Sequence, residues 1–254
     1  MSKDILAGIH AVESALRHDS DHVGELLVAE DSRNPRVKEL VEDAKARGVR
    51  VHHRSAQALD KLTQGERHQG VVAFYDAPAA LAESDLPRLL EQAGSAALFL
   101  VLDEITDPHN FGACLRSALA ARATAVIVPK DRAAPTNATV RRASAGAADR
   151  VPIVRATNLA RAMQVLRDAG VWITGLEGEA ETSLYAQDLR GPVAIAMGAE
   201  DTGMRRLTRE HCDFLARIPM PGEMESLNVS VAAGIALFEA LRQRSASLVS
   251  SAKA

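Results

Sequence analysis

Apolar and polar positions alternate along this chain in two separate series, and each series predicts helices and strands in turn. From Ile5 to Tyr75 the pattern reads as a helix over "IHAVESALRH", a strand over "VGELLVAE" and a helix over "NPRVKELVEDAKARG". A strand over "VRVHH", a helix over "SAQALDKLTQ" and a strand over "GVVAFY" follow. In the second of these helices Asn34 stands as cap, Pro35 in the first turn and Gly48 as stop. The result is a small αβαβαβ unit over residues 1–76. The stretch "DAPAALAESDLPRLLEQAGSA", with Pro78 and Pro87, predicts a linker with a short helix over 77–96.

From Leu98 the second series begins. Strands read at "LFLVLDEI", "TAVIVP", "RVPIV", "VWITGL", "VAIAMG" and "FLARIPM". Helices read at "FGACLRSALAA", "NATVRRASAGAA", "LARAMQVLRDAG" and "GMRRLTREHC", and an almost wholly apolar helix closes the domain from Val229. Continuously apolar strands alternating with helices imply an α/β domain with a parallel sheet covered on both faces. Ligands of such sheets bind beyond the carboxyl ends of the strands. The last residues, "SASLVSSAKA", read as a frayed tail.

Composition narrows the classes. At 254 residues the chain accommodates one large or two modest domains. Its formal net charge of -3 means that any nucleic-acid site is a local patch, not a basic molecule. Cys114 and Cys212 make no disulfide framework and read as reduced core thiols; no Cys/His spacing suggests zinc or another metal. The start carries Asp4 and no continuous apolar core, so it does not read as a signal peptide, and "AALFLVL" is too short for a membrane span. These features predict a cytoplasmic protein with no membrane partner. The histidines clustered before residue 77 read either as scattered surface residues or as RNA contacts.

Polar residues and glycines gather just past three apolar strands. In "LDEITDPHNFGACLRSA", Asn110 stands where it can cap the next helix, and Arg116 lies inside that helix, either as an exposed, snorkelling side chain or as a site residue. In "VAIAMGAEDTGMRRL", Gly198 and Gly203 let backbone approach a ligand, but the lysine of a phosphate-binding loop is missing and no dinucleotide fingerprint follows the first strand. In "ARIPMPGEMESLNVSVA", Ser226 and Asn228 precede a buried helix, where capping competes with a role as site wall. Ile218 and Leu227 there can sandwich an adenine while backbone groups bond its edge. A fourth stretch holds Lys130, Arg132, Arg141, Arg142, Arg150 and Arg155 against Asp131 and Asp149. It reads as a solvated helix face or as a phosphate-contacting surface.

In this order and spacing, "DPHNFGACLRSA", "VAIAMGAEDTGMRRLT" and "IPMPGEMESLNVSVAAGI" resemble the three motifs of the SpoU (TrmH-type) RNA 2′-O-methyltransferases. "GIHAVESAL", "HQGVVA" and "VIVPKDRAAPTNATVRRASAGAA" extend the resemblance to the branch that methylates a guanosine ribose in the peptidyl-transferase loop of 23S ribosomal RNA. It covers nearly the whole chain except linker and tail.

The resemblance implies a SPOUT-type parallel sheet over 97–245 with a C-terminal deep trefoil knot. It also implies a small α/β, ribosomal-protein L30e-like RNA-binding domain over 1–76, while residues 246–254, outside the resemblance, read as a flexible tail. It further implies a homodimer with the active site completed across its interface, S-adenosyl-L-methionine bent into the knot, and large-subunit ribosomal RNA as partner. By position, Gly198, Ile218 and Leu227 match cofactor-contacting residues, with Met197, Met220 and Ser226 beside them. Asn110, Arg116, Glu200 and Asn228 match the catalytic positions, and Lys130, Arg132, Arg141 and Arg142 are the expected RNA contacts. The chain departs from the family at Asp201, where glycine is usual. Family models cast the arginine as base. A guanidinium rarely gives up its proton, so a role in orienting the 2′-hydroxyl and stabilising alkoxide stands beside that one. The same residues also serve two other expectations: methylation of transfer RNA or another ribosomal nucleotide, or RNA binding without catalysis.

Overall fold

A computed structural model describes residues 4–76, 81–222 and 226–251 of the chain. Two compact units result. One comprises Met1–Ala79 together with Thr136–Arg150, and the other comprises Ala80–Pro135 with Val151–Ala254. Residues 77–80 of the expected linker and 223–225 of the third motif lie outside the described residues.

The smaller unit opens with a strand that the apolar pattern did not predict, β1 (Asp4–Ala7). It continues through α1 (Ile9–Asp19), β2 (Val23–Ala29), α2 (Pro35–Ala46), β3 (Arg50–Arg54), α3 (Ala56–Leu62) and β4 (Val71–Tyr75). The strands form a mixed sheet in the order β1-β4-β2-β3, antiparallel except for β2 with β3. β1 is too short to show period-two alternation, and its pairing with β4 is what makes it a strand. Side chains leave β2 on alternate faces: Leu26 and Val28 pack with Val12, Leu16, Val37 and Leu40, while Leu27 meets Leu59 of α3 and Val72.

In the larger unit α4 (Leu86–Ala93) precedes a six-stranded, all-parallel sheet. Its elements are β5 (Leu98–Leu102), α5 (Pro108–Ala120), β6 (Ala125–Pro129), β7 (Ile153–Ala156), α7 (Leu159–Asp168), β8 (Trp172–Leu176), β9 (Val193–Met197), α8 (Arg206–Glu210), β10 (Phe214–Ala216) and α9 (Val229–Ser251), while α6 (Ala138–Ala143) belongs to the smaller unit. The strand order is β10-β8-β9-β5-β6-β7. Every residue of β5, β6 and β9 is buried, as the unbroken apolar runs require. One face packs on α4 and α7 through Leu86, Leu89, Met163 and Leu166. α5 packs along α9, and α9 in turn meets β9.

Three expectations change. First, the segment 136–150, which the alternation assigns to the second domain, is held in the smaller unit. Arg141 there is only 6% exposed, and its guanidinium donates to Asp149 (2.9 Å) and Asp4 (3.1 Å) and lies over the Tyr75 ring. Arg141 is therefore a buried ion-pair residue and not part of an exposed RNA-facing surface. Second, the helix expected over 203–212 is reduced to α8, because Arg205 is held by Asp103 before the helix begins. Third, the expected frayed tail continues α9 as far as Ser251.

Candidate active site

All six strands of the larger sheet run the same way, so their carboxyl ends share one edge, and the loops leaving that edge carry the polar residues. After β5 comes Asp107, which caps α5 by accepting the Asn110 N–H at 2.8 Å. Asn110 is thus not the cap. Its side chain is left to reach the loop after β9, where its Nδ2 donates to Glu200 Oε1 at 3.3 Å. Asn228, just before α9, donates its Nδ2 to the same Glu200 oxygen (2.6 Å) and to Asn110 Oδ1 (2.8 Å). The backbone N–H of Val229 also donates to Glu200 Oε1, at 2.9 Å. Three strand-end loops therefore close on one carboxylate.

Asn228 also accepts from the N–H and the hydroxyl of Ser230 at its Oδ1, 3.0 and 2.6 Å away. The polar entrance to the buried helix serves both purposes: one end of the amide caps α9, and the other joins the cluster. Glu200 adds a negative charge at the amino end of a long helix, where the backbone dipole favours it.

Beside this cluster lies a cavity of about 190 Å³. Its wall includes Met197, Gly198, Ile218, Met220, Ser226 and Leu227, so the structure gathers all six expected cofactor-contacting positions around one space. Glu200 borders it as well. Gly198 has a steric reason to be glycine. A Cβ there would stand 1.9 Å from the Gly203 carbonyl carbon and 2.1 Å from the Met204 nitrogen. The Gly203 N–H donates to Ala199 O at 2.9 Å, and Gly203 adopts φ +65, in the region that favours glycine.

Arg116 lies six residues beyond Asn110 on α5, about 9 Å further along the axis. It is exposed and makes no hydrogen bond or ion pair among the described residues, so the structure does not draw it into the Asn110–Glu200–Asn228 cluster. The packing of α5 on α9 places it on the element pair that carries the cluster. Of the expected RNA contacts, Lys130 is exposed, Arg132 pairs with Glu104 (2.7 Å) and Arg142 pairs with Glu66 (3.4 Å). Asp201 is exposed. No group of metal-binding side chains occurs among the described residues.

Two supports escaped the sequence reading. Asp103, fully buried at the end of β5, accepts the backbone N–H of Arg205 (2.9 Å), its Nε (2.7 Å) and the Thr208 hydroxyl (2.6 Å). Its own N–H donates to Met197 O at 2.8 Å. Asp103 thereby ties down both ends of the loop that carries Gly198 and Glu200. The signal was an acid closing the wholly apolar run "LFLVLD". Glu177 and Gly178, after β8, also line the cavity, and "ITGLEG" shows the same change from apolar strand to polar loop as the three motifs. Glu177 accepts from Arg209 Nε at 2.9 and 3.1 Å. Burial pushes the Cys114 thiol on α5 up to about 12, with the Glu200 charge adding to the shift; Cys114 is an inert core thiol.

This chain belongs to the SpoU rRNA Methylase family, whose model matches residues 97–238. A second model, for RNA 2′-O ribose methyltransferase substrate binding, matches residues 5–80. A Xylella fastidiosa protein named 23S rRNA (guanosine-2′-O-)-methyltransferase RlmB is 58% identical over 239 residues, 94% of this chain and 96% of the relative. The Pseudomonas aeruginosa protein of the same name is 52% identical over 237 residues, 93% and 95% of the two chains. Among solved structures, the SpoU methyltransferase AviRb from Streptomyces viridochromogenes in complex with AdoMet superposes with a TM-score of 0.79 at 28% identity, covering 95% of this chain and 90% of that one. An AdoMet-bound rRNA methyltransferase from Sinorhizobium meliloti gives 0.76 at 27%, covering 94% and 87%.

Proposed function

We propose that this chain methylates the ribose 2′-oxygen of a guanosine in the peptidyl-transferase loop of 23S ribosomal RNA, using S-adenosyl-L-methionine. The observation that carries the reading is the meeting of Asn110, Glu200 and Asn228 beside a cavity whose wall holds Gly198, Ile218 and Leu227. Relatives above 50% identity over nearly the full chain bear the name 23S rRNA (guanosine-2′-O-)-methyltransferase.

The lining fits the cofactor. Gly198 offers bare backbone where any side chain would collide with Gly203, and Ile218 and Leu227 offer apolar surface for an adenine. Met197, Met220 and Ser226 complete that wall. The cofactor supplies a methyl group already activated by positive sulfur. The protein's share is positioning: Asn110 and Asn228, fixed through Glu200, form a rigid wall against which the ribose is held. Arg116 orients the 2′-hydroxyl and stabilises the charge that grows on its oxygen, and the proton leaves to RNA phosphate or water. Lys130, Arg132 and Arg142 contact RNA phosphate.

The same reading includes a C-terminal trefoil knot that pins the loop before α9 against the loop after β9, and an L30e-like fold for the smaller unit that grips RNA. It also includes a cytoplasmic homodimer with the site completed across the interface. Val231 and Phe238, seven residues apart on α9 and 51% and 48% exposed, form an apolar stripe suited to that contact. No described helix is long and apolar enough to cross a membrane.

The test is methyl transfer from labelled cofactor to an unmodified 23S transcript and to transfer RNA, with the product mapped. One ribose-methylated guanosine in the peptidyl-transferase loop is expected. Incorporation into transfer RNA alone would overturn the substrate, and no incorporation would overturn the enzyme.

A further inference from the structure

A second opening lies at the carboxyl edge of the larger sheet, on the far side of β5 from the cofactor cavity. In strand order, β10, β8 and β9 flank the cofactor cavity, and β6 and β7 flank this groove. It encloses about 410 Å³. The end of β6 with its following loop, the turn into α7, and the start of α8 form its three sides. Lys130, Arg132, Arg205 and Arg206 line it, with Asp131 as the acid among its lining residues.

The four cations differ in how they are held. Lys130 is exposed and makes no ion pair among the described residues. Arg132 and Arg206 are 66% and 77% exposed, and their partners Glu104 and Glu210 lie 2.7 and 2.6 Å away. Such solvent-facing pairs contribute little and exchange readily for a better anion. Arg205 is different: it is bound at 2.6 Å to the buried Asp103, so its position is set by the fold. One fixed guanidinium among three that can turn toward a ligand suits a phosphate group, whose oxygens accept from several forks at once. The loop that carries Gly198 and Glu200 ends at Arg205, so the methyl-transfer site and the groove share one stretch of backbone.

We propose that this groove binds a backbone phosphate of the substrate RNA flanking the target ribose, with Lys130 and Arg206 as turning contacts and Arg205 as a fixed floor. The proposal rests on the methyltransferase reading above. It extends that reading by giving the RNA strand a direction along the sheet edge, from the cofactor cavity past Asn110 toward β6 and β7.

The experiment uses the full chain carrying Lys130→Ala and Arg206→Ala together, an unmodified 23S transcript, and calorimetry with S-adenosylmethionine. Both side chains are exposed, so the fold tolerates their loss. The KM for RNA is expected to rise about tenfold, as for loss of charge-assisted hydrogen bonds. The slope of log affinity against log salt should shrink by about 0.7 for each single-strand phosphate released. Cofactor affinity and kcat at saturating RNA should stay within about twofold of the parent. The pair Lys130→Arg and Arg206→Lys should keep the parent slope. Unchanged RNA affinity and slope in the alanine pair would overturn the groove, as would a loss confined to the cofactor. If the parent protein methylates no RNA, the failure belongs to the methyltransferase reading. Direct RNA-binding titrations of parent and variant then still decide the groove.

Discussion

Asn110, Glu200 and Asn228 in the larger unit, and Arg141, Asp149 and Asp4 in the smaller one, are both polar clusters tied across long stretches of chain. Asn110 and Asn228 are 118 positions apart, and Asp4 and Arg141 are 137. Their surroundings separate them. The Arg141 cluster is closed: the guanidinium is 6% exposed, two carboxylates take its charge and the Tyr75 ring covers it. The Tyr75 hydroxyl in turn donates to Asp19, and burial followed by that bond raises its pKa. The Glu200 cluster is open. Its bonds converge on Oε1, Oε2 has no partner among the described residues, and Arg116 stands exposed on the helix that carries Asn110. A polar cluster with every group satisfied specifies a fold, whereas one with unmatched donors and acceptors facing solvent is built to receive something.

Substitutions that invade each cluster should therefore fail in different ways. On the open side, the largest loss of cofactor binding is expected at Gly198→Ala, two residues before Glu200. The added methyl meets backbone and not a side-chain tip, so the loop must move. Cofactor affinity by calorimetry should fall by about 100-fold. Affinity within threefold would mean that the cavity is not the cofactor site. In the closed cluster, Arg141→Ala strands Asp149 in a buried site and should cost about 3–5 kcal/mol in urea unfolding. Its exposed neighbour Arg142→Ala should stay within about 0.5 kcal/mol. Equal effects at the two arginines would erase the distinction between buried and surface cations.

A smaller effect tests a structural carboxylate, Glu83, by pH. Glu83 accepts from Arg161 and from the backbone and hydroxyl of Thr157, and these bonds, the Arg161 one foremost, hold its carboxyl below the usual range. A carboxyl depressed by folding stabilises at pH above its unfolded value, about 4.3. That contribution is lost as pH falls through the folded value. Glu83→Gln should lower Tm by about 2–4 °C at pH 7 and by progressively less as the pH falls below about 4. A Tm difference independent of pH would contradict the assignment.

The apolar runs made the parallel sheet legible, because strands buried on both faces must be apolar at every position, as β5, β6 and β9 are. The strand-end loops were legible for the converse reason: polarity resumes abruptly where the sheet stops. What stayed hidden depended on partners distant in sequence. β1 is a strand only because β4 lies beside it, and Asp103 looks like an ordinary loop acid until Arg205 and Thr208 close on it. Arg141 belonged by composition to a basic surface, and only the approach of Asp4 shows it to be interior. Charge counts along a chain do not distinguish a cation facing solvent from one facing a carboxylate.

The central claim is that the open cluster and its neighbouring arginine act on a ribose hydroxyl while the cavity separately holds the cofactor. Arg116→Ala tests it most directly, assayed for labelled methyl transfer to a 23S transcript alongside calorimetric titration with S-adenosylmethionine. A fall in kcat of about 100-fold or more, with cofactor affinity within about twofold of the parent, is the predicted result. Turnover at the parent rate would remove Arg116 from the reaction and contradict the account.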